Sequence, residues 1–252
     1  MKQKEIYKEN SYPLAGVVMM RVLGGLLFGY DIAVISGAEK GLQAYFIGAE
    51  EFVYTDSMHG FTCYSALLGC IVGALLSGLL TSRFGRKGTL ATAAVLFFVS
   101  VIGSVYPELP FFQRGIANYP TLVMFNVYRI VGGIGVGLAF AVSMRYVLKE
   151  KSSSLRMLLL LCNVLAIVLG LLMVYSVNFL ILGDHTDPAF ESLGQGINLV
   201  LPGSDPWTVT TGWRYMFGSE TVPAALFTLL IFRMDGVKEM KGMKEMKEMK
   251  GM

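Results

Sequence analysis

Charge is scarce in this sequence: Asp, Glu, Lys and Arg make up only 15% of its 252 residues, against about 25% in an ordinary soluble domain. Hydrophobic residues make up 54%, so a soluble fold would carry apolar surface on every side. That class is excluded. Histidine is almost missing too. His59 and His185 are the only two, and both read as ordinary residues in or beside outer loops, without a carboxylate or cysteine partner. The three cysteines (Cys63, Cys70 and Cys162) all fall in apolar runs. An odd number without metal-ligand spacing argues against a disulfide framework, and they read as buried thiols acting as small apolar side chains. No hydrolytic or redox constellation is present, so no enzymatic chemistry, metal or cofactor is expected, and nothing points to a nucleic acid.

What the chain has instead is length of apolar run. Six runs qualify as membrane spans: 14–36, 60–81, 88–107, 120–144, 157–182 and 214–232. Each has about the twenty residues needed to cross a ~30 Å hydrocarbon core at 1.5 Å per residue. Lipid offers no partners to exposed amides, so each run is expected to be helical. Residues 1–13 are polar and the run after them is too long for a signal-peptide core, so no cleavable signal is expected. The resulting division is a polar N-terminal tail (1–13), a six-helix transmembrane domain (14–232) and a low-complexity Lys/Met/Glu tail (233–252).

Orientation follows from the basic residues. Sixteen of the 21 lie on one side: Lys2, Lys4 and Lys8; Arg83, Arg86 and Lys87; Arg145, Lys149, Lys151 and Arg156; and Arg233 with five lysines of the tail. The opposite loops carry Lys40 and Arg114 among a larger number of acids, including Glu39, Asp56 and Glu108. The positive-inside rule then puts both termini in the cytoplasm, as an even number of spans requires.

Three ionisable residues fall within the apolar runs: Asp31 near the outer end of the first, Arg129 in the fourth and Glu220 in the sixth. An ionised group at mid-bilayer costs ~2.5–3.5 kcal/mol on insertion scales, so each needs a reason. Opposite signs imply that Arg129 faces one or both carboxylates across the bundle. A conformational change that separates Asp31 from Arg129 would load or release a proton; the alternative is an ion pair that only fixes helix packing. Arg21 lies near enough to the inner surface to snorkel. Gly132, Gly133, Gly135 and Gly137 lie mid-span with no preceding strand, which excludes a nucleotide loop. The four-residue spacings Gly69–Gly73 and Gly133–Gly137 predict grooves for close helix packing.

Several stretches resemble sugar porters of the major facilitator superfamily. GGLLFGYDIAVISG (24–37) is similar to their first helix and GLLTSRFGRK (78–87) to the signature loop between helices two and three. YRIVGGIGVGLA (128–139) resembles the fourth helix and GWRYMFGSETVPA (212–224) the entry into the sixth. AAVLFFVSVIGSVYPEL (93–109) is similar to bacterial D-xylose–proton symporters. The resemblance implies one six-helix half of the superfamily fold, in a bacterial inner membrane, moving a pentose or hexose together with protons by alternating access. By the same resemblance, Asp31 is the proton acceptor, Arg129 its partner and Glu220 a member of the same polar cluster, while Phe28 packs near the sugar. Gly78, Arg83, Gly85, Arg86, Lys87 and Arg156 belong to the loops that latch the inner gate. Where the family has sugar-binding glutamines in helix five, Val164 and Leu171 stand here, and Ser82 takes an acidic position of the signature loop. The implied partners are the sugar and proton, the lipid bilayer, and a second six-helix half or second copy. Alternatives are a truncated, inactive half-carrier or a non-transporting sensor or partner subunit, the latter resting on the long loop 183–212.

Overall fold

The computed structural model describes residues 14–49, 52–109, 117–148, 153–183 and 207–231. The polar segment 1–13, the tail 233–252, most of the loop 183–212, and Arg114, Lys149, Lys151 and His185 lie outside the described residues, as does the side chain of Arg21. The described residues form helices and connecting turns, with no strand among them. In order these are α1 (Leu14–Ile47), α2 (Asp56–Val105), α3 (Tyr119–Leu148), α4 (Ser153–Gly183), a π-helical turn (Thr208–Gly212), α5 (Trp213–Ser219) and α6 (221–231). Four of them, α1 to α4, are long and apolar enough to cross a membrane.

Three expected boundaries need correction. The first helix does not stop near residue 36 but continues to Ile47. Asp31 therefore lies in the middle of α1, and Glu39 and Lys40 sit on helix rather than in a loop. The second and third runs are continuous except at Gly85, whose φ of 70° and ψ of 172° break the helical geometry. That left-handed backbone suits glycine, and it turns α2 into two arms. The sixth run is interrupted at Ser219–Glu220 between α5 and α6. Pro223 accounts for this, because its ring has no N–H to bond the Ser219 carbonyl one turn back.

α2 begins on Thr55, whose hydroxyl accepts a 3.4 Å hydrogen bond from the Met58 amide, with Asp56 in the first turn. Both features suit the positive end of a helix. They place His59 in that first turn, at the edge of the preceding loop.

α2 packs mainly on α3, and α1 mainly on α4. The predicted grooves form the first contact. A Cβ at Gly69 or Gly73 would strike the backbone of Ile130 or Ile134, and one at Gly133 or Gly137 would strike the backbone around Ala66 and Cys70. The remaining glycines of the same segment serve the other arm of α2: Gly132 meets Ser100 and Gly135 meets Ala93. α3 is thus held on two glycine faces, of which spacing revealed one. Large aliphatic side chains such as Leu67, Ile71 and Leu75 stay exposed on the outer face of α2. α4 buries only 28% of its most apolar window. The three cysteines are free and half-buried rather than fully buried.

Candidate functional site

α1, α3 and the α5–α6 break meet at one charged cluster. Arg129 Nη1 lies 2.9 Å from Asp31 Oδ1 and 3.2 Å from Glu220 Oε1. Nη2 donates at 3.2 Å to the Asp31 backbone carbonyl, and the Phe217 ring lies 5.0 Å from the guanidinium carbon. Asp31, Arg129 and Glu220 are 3%, 2% and 1% exposed. At that burial an unpaired ion costs several kcal/mol, so each charge depends on the others. Glu220 stands between α5 and α6 with helical backbone angles, and its side chain reaches the arginine. Beside it the Tyr30 hydroxyl and Ser219 Oγ share a 2.7 Å hydrogen bond, a contact that sequence reasoning missed. Two carboxylates face one guanidinium. Fully ionised, the cluster carries one excess negative charge, and one bound proton makes it neutral.

Phe28 stacks on Phe140 with ring centroids 4.9 Å apart, one turn below Asp31 on α1. Val164 faces outward and Leu171 packs, partly buried, against the core cluster that α1 shares with α5. Three buried amide oxygens that sequence reasoning passed over, on Asn126, Asn163 and Asn178, have no hydrogen-bond partner among the described residues.

Of the predicted loop residues, Gly78 and Arg83 to Lys87 lie along α2 on either side of its bend. Gly85 forms the bend itself, and its carbonyl accepts a 2.8 Å bond from the buried Thr89 hydroxyl. Arg83 lies over the Phe84 ring at 5.9 Å, and Arg86 and Lys87 follow in the next turn. Gly78 sits beside Arg145, which donates to Ser77 Oγ at 2.9 Å and to the Ser77 carbonyl at 3.3 Å. Arg145 thus ties the end of α3 to α2, a role its place among the loop bases did not reveal. Arg156 lies exposed in the first turn of α4.

A second charged cluster was also missed. Arg214 pairs with both oxygens of Glu108, its Nη1 standing 3.1 Å from Oε2 and its Nη2 bonding Oε1. Arg214 Nη1 also bonds the Val105 carbonyl at 2.6 Å, while the Tyr45 hydroxyl donates to Glu108 at 3.1 Å. The guanidinium rests 4.4 Å from the Trp213 ring centroid. Three segments, the end of α1, the turn after α2 and the start of α5, are locked by it. Burial pushes the Glu108 carboxyl up, but the hydrogen bonds and charge of Arg214, with Tyr45, outweigh that and hold it below its ordinary 4.5. A depressed carboxyl stabilises the fold above its ordinary value and loses that contribution as pH falls beneath it. Glu108→Gln is therefore expected to melt below the wild type at neutral pH, the gap closing as pH drops under 4.5. Thermal melts of both proteins across that range check this. A gap independent of pH would show that the carboxylate charge is not what holds the lock.

The family model described as sugar (and other) transporter matches residues 17–235. The D-xylose-proton symporter of Escherichia coli (strain K12) is 39% identical over 231 residues, covering 88% of this chain and 43% of that protein. The partially occluded inward-open xylose transporter XylE from E. coli superposes with a TM-score of 0.73 at 38% identity, covering 88% of this chain and 50% of that one. The proton:xylose symporter XylE bound to 6-bromo-6-deoxy-D-glucose gives 0.71 at 40% identity, with coverages of 87% and 44%. The chain thus spans about half the length of these relatives or less. On the family match across nearly all its helices, this chain is a multi-pass membrane protein that belongs to the sugar transporter family of the major facilitator superfamily.

Proposed function

We propose that this chain is a six-span half of a proton-coupled monosaccharide carrier, with Asp31, Arg129 and Glu220 as its proton-coupling cluster. In this reading residues 14–232 form the transmembrane domain in a bacterial inner membrane. The tails 1–13 and 233–252 lie in the cytoplasm. The two arms of α2 count as separate spans, and α5 with α6 makes the sixth. The substrate is a pentose or hexose, D-xylose first, since several similar proteins are named for it. Phe28 lies near the sugar path. Gly78, Arg83, Gly85, Arg86, Lys87 and Arg156 form the inner latch.

The observation that carries the proposal is one arginine shared by two buried carboxylates. How far one guanidinium offsets two carboxylates in this buried cluster depends on how closely its helices pack. Movement of α1 against α3 changes that balance, which couples proton binding to conformation. The sparsely buried α4 leaves apolar surface for lipid and for the partner that completes the pathway, a second six-helix half or a second copy.

The test is sugar uptake by the purified chain in liposomes under an inward proton gradient. Uptake of D-xylose that depends on the gradient, and falls to the protein-free background with Asp31→Asn, is the expected result. D-glucose is the second substrate to try. No uptake by folded, helical protein, alone or supplied with a second half, would overturn the assignment.

A further inference from the structure

Apart from these clusters, the described residues bring one group of metal-ligating side chains together. Glu39 lies near the end of α1, and His59 and Cys63 lie in the first turns of α2. A carboxylate oxygen, an imidazole nitrogen and a sulfur come within 4.8 Å of one another. His59 and Cys63 are four residues apart, which stacks them on one helix face. The expectation that His59 lacks a carboxylate or cysteine partner is thus corrected: its four-residue spacing to Cys63 was a signal passed over, and Glu39, which completes the group, comes from another helix.

The spacing suits a tetrahedral ion. His59 Nε2 is 3.1 Å from Glu39 Oε1 and 3.9 Å from Cys63 Sγ. Zinc, bonding nitrogen and oxygen at ~2.0–2.1 Å and sulfur at ~2.3 Å, sets its N···O and N···S edges at about 3.3 Å and 3.6 Å. The two edges at His59 need shifts of only about 0.3 Å, and the carboxylate–thiol edge, within 4.8 Å, closes by rotation of the half-exposed Glu39 side chain. The other ring nitrogen is also provided for. His59 Nδ1 stands 3.2 Å from the Tyr54 hydroxyl. Donating Nδ1–H there leaves the Nε2 lone pair for the metal, the usual support for a ligating histidine. An ion pair with Glu39 would explain the carboxylate alone; it gives no reason for the thiol on the same side of the ring. The Glu39 side chain is 47% exposed and that of His59 15%, so an ion has access and a water can fill the fourth position.

We propose that Glu39, His59 and Cys63 form a site for zinc or a similar divalent transition ion that ties the end of α1 to the start of α2. On binding, Cys63 releases its thiol proton to solvent, and the ion meets one thiolate, one carboxylate and one neutral imidazole. Two negative charges balance the dication, which suits a site at a membrane boundary. Sulfur and imidazole ligands select against Mg²⁺ and Ca²⁺.

The test is a Co²⁺ titration of the untagged, full chain in detergent, followed by displacement with Zn²⁺. A thiolate-to-cobalt charge-transfer band with tetrahedral visible bands is expected, abolished by Zn²⁺ and unaffected by Mg²⁺ or Ca²⁺. Cys63→Ser is expected to remove the charge-transfer band, and His59→Gln and Glu39→Gln to weaken Zn²⁺ binding more than tenfold. Tyr54→Phe weakens it about tenfold through the ring's second hydrogen bond. The Cys70→Ser/Cys162→Ser double variant keeps both the band and the affinity. Absence of the band in the wild type, or its survival in folded Cys63→Ser, would overturn the site. If a ligand variant does not fold, the wild-type titration and the double variant still decide. None of these readouts involves sugar uptake, so the site and the transport assignment stand or fall separately.

Discussion

Arg129→Met is expected to destabilise the bundle by about 3–5 kcal/mol, because it strands two carboxylates in a dry interior. Total stabilities are of the order of 5–15 kcal/mol, so much of the fold's margin is lost and little folded protein should be recovered. The cost arises from unpaired charge rather than lost packing, since methionine fills much of the same volume. Two further variants isolate that cause. Asp31→Asn leaves Arg129 paired with Glu220 at 3.2 Å, so it should fold well and serve as a sound control for uptake. Arg129→Met with Asp31→Asn and Glu220→Gln removes all three charges and should recover most of the lost stability, as replacing every partner of a buried network usually does. Thermal unfolding in detergent, followed by circular dichroism, ranks the three. If Arg129→Met melts with the wild type, the carboxylates are hydrated or neutral and the proton-coupling proposal loses its basis.

Gly133→Val should be nearly as damaging by a different route. A side chain there is driven into the Ala66 carbonyl and the Cys70 amide of the facing helix. Backbone cannot step aside as a flexible side chain can, so the axes of α2 and α3 must separate. Overpacking typically costs about 1–3 kcal/mol and more when the backbone has to move. The damage should spread, because separating these helices also withdraws Gly69, Gly73 and Gly137 from their contacts. Gly60→Ala is the matched control: a Cβ there meets nothing within 4 Å, and alanine favours helix over glycine. Size-exclusion profiles and melts of the two variants make the comparison. Gly133→Val running and melting like wild type would mean that the α2–α3 contact is looser than described.

Some of the site was legible in the residues themselves. Asp31, Arg129 and Glu220 stand out because lipid penalises charge, and that penalty allows few explanations other than pairing. The interdigitating glycines were legible for a similar reason, since small residues four apart on an apolar helix serve close approach. Arg214 and Glu108 were not. They lie near helix ends, where charge costs little, and nothing in their spacing says that they meet. His59 and Cys63 shared a helix face, but their third ligand could not be inferred from its position twenty residues earlier. The length of α1 was misjudged for the same reason. Glu39 and Lys40 look like the start of a loop, whereas the helix continues past them to Ile47.

The sequence by itself determined that this chain lives in a membrane as a bundle of helices, which charges must be paired, and which family it belongs to. Hydropathy and segment length decide the first, because a bilayer core demands apolar runs of one size with every amide bonded internally. Only the tertiary structure decided which groups touch. Arg129 lies 98 residues from Asp31 and 91 from Glu220, and their meeting depends on how three helices rotate about their axes. In lipid that rotation is weakly written in sequence, because inward and outward faces are both apolar: Leu67 and Ile71 face out while Phe97 and Val101 face in. The bend at Gly85 and the break before Pro223 then set where each helix end arrives.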